Sequence, residues 1–171
     1  MGNDELGKKA EVKIKEWLDK PEEGCCFDRI PDQMTGFFGS KNICDFILFK
    51  YPYFYYIESK ATWQDRFDFS MISEYQRTHM FEKSFIYGVR SIVIVLFATY
   101  KRAFIFNIVD IQHLLDIGVK SLNIKKFSRW NIPYSEITTV ENNRKELLDY
   151  TGDLEKLVNN LMIGEDKNEV S

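Results

Sequence analysis

Two acids and an amine stand out in this 171-residue sequence because their neighbours are apolar. Asp45 lies between Ile43-Cys44 and Phe46-Ile47-Leu48, while Glu58 and Lys60 close the run Tyr53-Phe54-Tyr55-Tyr56-Ile57. A charge planted in an apolar stretch loses its hydration when that stretch packs, so it needs a compensating partner. The pattern Asp-x12-Glu-x-Lys is non-specific alone, and its bland reading is a set of solvated strand charges. Register gives it content. The two apolar runs are separated by Lys50-Tyr51-Pro52 and read as a β-hairpin. If the chain turns midway between Tyr51 and Pro52, Lys50 faces Tyr53 and Asp45 faces Glu58. Opposed Cβ atoms in such a pair are about 5 Å apart, and like charges there are destabilising unless something positive sits between them. Lys60, two residues past Glu58, falls on the same face, about 7 Å along the strand.

Two carboxylates offer oxygen ligands and leave room for several waters, which suits Mg²⁺, with Mn²⁺ as a substitute. No His or Cys cluster competes: His79 and His113 are isolated, and Cys25, Cys26 and Cys44 are an odd set that matches neither a disulfide framework nor a C-x-x-C metal knuckle. They read as reduced thiols of a cytoplasmic protein. Phosphodiester hydrolysis needs a metal to polarise the phosphate and acidify a water, and a positive group near the developing charge. Asp45, Glu58 and Lys60 are of the right types.

The elements that must position these residues can be read from periodicity. Leu6, Ala10, Ile14, Trp17 and Leu18 form one stripe of an amphipathic helix from Asp4 to about Lys20. Cys26–Ile30 reads as an early strand, followed by the hairpin. Phe69 to about Tyr87 is compatible with a helix stopping at Gly88, then come strands Ser91–Phe97 and Ala103–Ile108 and a short helix from Asp110 to Ile117 closed by Gly118. Residues 141–163 read as a charged helix. This order predicts an α/β fold, a sheet flanked by helices, with residues 1–163 as one domain and 164–171 as a frayed tail.

Composition agrees with a folded protein, at 44% hydrophobic and 29% charged residues. No signal-like core and no membrane-length apolar run is present. The net charge of −3 conceals an uneven distribution: residues 41–130 carry thirteen Lys or Arg against eight Asp or Glu, between acidic ends. A basic centre of this kind is compatible with a nucleic-acid partner.

The ordered set Asp45, Glu58-Ser59-Lys60-Ala61-Thr62, Phe67-Asp68-Phe69 and Ile72 leading to Gln76 resembles the core of RecU-type Holliday-junction resolvases. Gly7-Lys8-Lys9-Ala10-Glu11 resembles that family's first helix, and Gly88 with Ile92-Val93-Ile94-Val95-Leu96-Phe97 its later strand; the likeness spans roughly residues 7–110. The resemblance implies a PD-(D/E)XK fold and a homodimeric enzyme that nicks four-way DNA symmetrically with Mg²⁺, and the short chain suits a phage or bacterial cytoplasmic version. It implies that Asp45 and Glu58 bind metal, Lys60 assists the water, Glu11 supports the metal or its waters, and Gln76 positions the site or the phosphate. One departure is plain. Where the family inserts a longer stalk between its first strand and the metal-binding Asp, twelve residues, 33–44, join Asp32 to Asp45 here, and Asn42-Ile43-Cys44 replaces the small hydroxyl residues before the Asp.

Around this set, Arg29, Lys41, Lys8 and Lys9 could grip phosphates, and Thr62 and Trp63 could meet a bent or splayed strand. Their bland readings are solvated charges, and core or interface packing for the Trp. Lys125-Lys126-Phe127-Ser128-Arg129-Trp130 is a basic-aromatic cluster that suits either a DNA backbone or a solvated loop. Two other readings stay open: a restriction-like or damage-directed nuclease of the same fold, and a protein of nuclease fold that binds without cutting.

Overall fold

The computed structural model describes residues 2–20, 24–31, 41–140 and 149–162. The chain begins with α1 (Asn3–Leu18), then a meander of β1 (Cys25–Arg29), β2 (Phe46–Lys50) and β3 (Tyr53–Thr62). Next come β4 (Arg66–Asp68), a 3₁₀ turn at Phe69–Met71, α2 (Glu74–Lys83), β5 (Val89–Phe97) and β6 (Arg102–Asn107). Then follow α3 (Ile108–Asp116), β7 (Ser121–Asn123), β8 (Ser135–Val140), β9 (Asp149–Thr151) and α4 (Leu154–Met162). A mixed sheet runs in the order β1-β2-β3-β5-β6-β8-β9, and β4 and β7 form a separate two-stranded pair. The α/β expectation holds in this form.

The hairpin register is the one its turn residues predict: Lys50 pairs with Tyr53 and Phe46 with Ile57. From β3 the chain crosses over through α2 and returns parallel to it as β5, so Glu58 lies beside Val93 and Lys60 beside Val95. A parallel neighbour requires such a crossover, and here the crossover helix lies over one face of the sheet. β5 is central, with a neighbour on each side and both faces covered, which explains its uninterrupted run of buried residues from Arg90 to Phe97.

Strand alternation divides the core into two clusters. On one face, Tyr55, Ile57, Ala61, Ile92 and Ile94 pack against Leu6, Ala10, Ile14 and Trp17 of α1 and Val158 of α4. On the other, Val93, Val95, Phe97, Phe104 and Phe106 pack against Met80 of α2 and Ile111 and Leu114 of α3. Glu58 and Lys60 share the alternation of Tyr56 and so belong to the second face.

Several expected elements differ. The helix expected over Phe69–Tyr87 is half as long. Ser73 caps its start, while Phe67 and Phe69 are buried in the second cluster ahead of it. Its expected final turn lies beyond the helix, where Phe85, Ile86 and Tyr87 are exposed and Gly88, at φ +80°, feeds the chain into β5. Of the helix expected over 141–163, residues 149–151 are strand β9 and 154–162 are α4; 141–148 and 163, like the tail 164–171, lie outside the described residues. β8 is an element that periodicity did not reveal, despite its β-branched run Ile137-Thr138-Thr139-Val140; it pairs with β6, and Arg102 donates to both carboxylate oxygens of Glu136 across them, at 2.6 and 2.7 Å. No helix among the described residues is long and apolar enough to cross a membrane.

Candidate active site

The site is built where β2 begins and β3 approaches its end. Asp45 immediately precedes the paired part of β2; its amide donates to Ile57 O at 3.2 Å, and its carbonyl accepts from Ile30 N at 2.8 Å. The Asp45 side chain is fixed as well, since Oδ2 accepts from the Ser59 amide at 2.8 Å. The paired register ends at Phe46–Ile57, and Asp45, the next residue, also bonds to Ile57, leaving its charge close enough to Glu58 to raise that residue's pKa.

Glu58 is fully buried. Its Oε1 accepts from Gln76 Nε2 at 2.8 Å and from Lys60 Nζ, but its Oε2, also buried, has no hydrogen-bond partner among the described residues. Burial pushes the carboxyl pKa up to about 7, and the neighbouring Asp45 charge adds to the rise, while Lys60 and Gln76 oppose it. A carboxylate oxygen sequestered beside a second carboxylate, without a donor, is a poor resting state and a good cation ligand.

The donor set consists of hard oxygens. Among the described residues no group of three or more His, Cys, Asp and Glu is arranged to hold an ion, and Cys44, whose pKa burial pushes up to about 12, donates to Phe46 O at 3.0 Å. Asp45 and Glu58 together could therefore hold a divalent ion of the Mg²⁺ type, which commonly takes one or two protein carboxylates and completes its shell with water and phosphate.

Gln76 reaches this cluster because Ser73 starts α2 with a capping box. The Gln76 amide donates to Ser73 Oγ at 3.2 Å, and Gln76 Oε1 accepts from Ser73 N at 3.2 Å. The motif Ser-x-x-Gln is visible in the sequence as a helix-start signature, although the periodicity of the segment suggests an earlier start. Arg77 holds α2 to α3 by donating to Gln112 Oε1 at 3.1 Å.

The remaining expected residues are distributed around this centre. Glu11 accepts from Arg29 Nε and a terminal guanidinium nitrogen, at 3.0 and 2.7 Å. Arg29 precedes Ile30, whose amide holds Asp45, yet it shares the alternation of Phe27, which packs with the α1 cluster on the sheet face opposite Glu58. Lys8 is exposed on α1 and Lys9 pairs with Glu5 at 3.3 Å. Lys41 is exposed. Thr62 is buried, and its Oγ1 accepts from Gln64 N at 3.0 Å, so it shapes the turn after β3. Trp63 is exposed at that turn, its carbonyl accepting from Thr99 Oγ1 at 2.5 Å.

Past the end of β3 the fold gathers basic residues that are scattered in sequence. Ile124 N donates to Asp65 O at 2.8 Å, Lys125 pairs with Asp65 at 3.8 Å, and the Lys125 ammonium lies 5.7 Å from the Tyr100 ring centre. Arg66, which pairs with Asp68 at 3.6 Å, and Lys101 and Lys125 are exposed here, and Arg129, over the Trp130 ring, is exposed further along the same segment. Arg66 and Lys101 carry no sequence signal, because the β4–β7 pairing and the β5–β6 turn bring them here. A cavity of about 210 Å³ lined by Trp17, Leu48, Lys50 and Leu154, and one of about 270 Å³ lined by Phe85, Ser91, Asn107 and Val109, include neither Asp45 nor Glu58; an open basic edge suits a polymeric substrate better than an enclosed pocket does.

No curated protein matches the chain. The family model described as RecU, recombination protein U, matches residues 23–156, a span holding Asp45, Glu58, Lys60 and Gln76.

Proposed function

Because this chain belongs to the RecU family of recombination-related Holliday-junction resolvases, we propose that it is a Mg²⁺-dependent endonuclease of PD-(D/E)XK fold that cuts four-way or otherwise branched DNA. The observation that carries this reading is the buried Glu58, close to the Asp45 charge, with one oxygen held by Lys60 and Gln76 and the other without a donor among the described residues. The β1-β2-β3 meander with a parallel β5 beyond the crossover helix supports the fold assignment.

Asp45 and Glu58 would hold Mg²⁺, or Mn²⁺ in its place. When bound, such an ion supplies polarisation of the scissile phosphate and a more acidic water. The rest of the work falls to the chain. The Ser59 amide fixes the Asp45 carboxylate, and Gln76 fixes that of Glu58. Lys60, part-exposed beside Glu58, sets a positive charge where the attacking water and the pentavalent phosphate accumulate negative charge. Glu11, through Arg29, braces the strand that holds Asp45, acting from the sheet face opposite Glu58.

Lys41 contacts phosphates ahead of β2, Arg29, Lys8 and Lys9 reach them from the side of the sheet that α1 covers, and Arg66, Lys101, Lys125 and Arg129 track the backbone past β3. Thr62 serves that contact by shaping the turn that presents Trp63. Two such sites related by a two-fold axis in a homodimer match a four-way junction, which needs paired cuts. The cytoplasm of a bacterium, infected by phage or not, is where that substrate arises.

The short connection of residues 33–44 favours one alternative, a related nuclease that cuts plain duplex; residues 33–40 lie outside the described residues. The test is incubation of labelled four-way junction, flap, duplex and single strand with Mg²⁺ or chelator, beside Lys60→Ala. Expected are paired nicks in the junction, none with chelator, and a rate reduced about 10²- to 10⁴-fold in the variant. Metal-dependent cutting of duplex at the same rate would select the alternative, and binding without cutting in every case would end the nuclease reading.

A further inference from the structure

We infer that Ser73, at the start of α2 and outside the carboxylate–lysine cluster, is a positioning residue that sets which end of the Gln76 amide faces Glu58; this rests on the nuclease reading above. The two ends of a glutamine amide play opposite roles, an acceptor oxygen and a donor nitrogen. Gln76 Oε1 meets two donors on one residue, Ser73 N at 3.2 Å and Ser73 Oγ at 3.0 Å, and Gln76 Nε2 meets the acceptor Glu58 Oε1 at 2.8 Å. Turning the amide over would set nitrogen against the Ser73 N–H and oxygen against a carboxylate, so both ends select the same orientation.

The hydroxyl can serve twice, because it has one hydrogen to donate to Oε1 and lone pairs to accept from Gln76 N at 3.2 Å. A helix cap is thereby wired to a buried acid. With Oε1 of Glu58 occupied by Gln76 and Lys60, Oε2 is the oxygen left for a ligand. Ser73 itself is exposed, so its identity is not dictated by packing.

Three substitutions separate positioning from capping. Asp is as good an N-cap as Ser and accepts from Gln76 N, so Ser73→Asp keeps the helix start, but it has no hydrogen for Oε1 and sets an anion against it. Ser73→Gly removes the hydroxyl at a small cost in helix stability. Ser73→Thr keeps the hydroxyl.

The experiment measures single-turnover junction cleavage with DNA saturating, and records the Gln76 side-chain NH₂ resonances, assigned by their loss in Gln76→Ala. Thr at 73 should cleave within about threefold of wild type, while Asp and Gly should fall about 10- to 100-fold, as supports of metal ligands do, with DNA binding and melting temperature retained. The NH₂ pair should stay dispersed in wild type and the Thr variant and collapse toward the free-amide position in the Asp variant. Cleavage by the folded Asp variant at the wild-type rate, or an unmoved NH₂ pair, overturns the role given to Ser73. A wild type that cuts nothing while its NH₂ pair behaves as described overturns the nuclease reading and supports the positioning.

Discussion

Glu58 holds its carboxylate in a place that costs it hydration. Its folded pKa of about 7 lies above the ordinary 4.5, so between those values the folded chain binds a proton that the unfolded chain has released. The resulting stabilisation is full below about pH 4.5 and is lost as pH rises through about 7. With metal chelated, urea unfolding should therefore show stability falling by on the order of 3 kcal/mol from pH 4.5 to 8, and Glu58→Gln should flatten that slope. An equal slope in the variant would mean that Glu58 is not the group responsible. The hairpin register, and with it the nearness of Asp45 to Glu58, was legible from the sequence because a short turn leaves a hairpin few registers. The tie from Gln76 to Glu58 was not: a helical glutamine carries no signal of what it touches, and the family likeness alone marked it.

At the scale of elements, α2 is the part whose position matters most, since it delivers Gln76 to β3. It is anchored by Met80, fully buried against the second cluster, and by the Arg77–Gln112 bond. Met80→Ala should cost about 2–5 kcal/mol in chemical denaturation and reduce cleavage beyond what the unfolded fraction explains. Loss of stability with full activity in the folded fraction would show that α2 need not be held closely. Periodicity overextends this helix because Phe69 and Phe85 happen to fit its repeat; one is claimed by the aromatic cluster ahead of the cap and the other is left on the surface beyond the last turn. Helix α3 was nearly right, because Gly118 at φ +86° marks its stop and its apolar stripe is regular. The three-residue strands β4, β7 and β9 exist through their partners and left no pattern to read.

For the whole molecule, the uneven charge visible in the sequence becomes a basic edge past the end of β3, assembled from β4, the β5–β6 turn and the segment after β7. Replacing Lys125 and Arg129 with Ala should weaken DNA binding about equally across sequences and lower the slope of log affinity against log salt by about one for each phosphate no longer neutralised, with the cleavage step unchanged at saturation. Binding titrations from low to moderate salt check this, and an unchanged slope would move the DNA to another face. The claim beneath all of these is that Asp45 and Glu58 hold one divalent ion between neighbouring strands. Calorimetric titration of Mn²⁺ into wild type and Asp45→Asn tests it most directly. A saturable site in the wild type, weakened at least about tenfold in the folded variant, is the result predicted; equal affinity in the two proteins would contradict it.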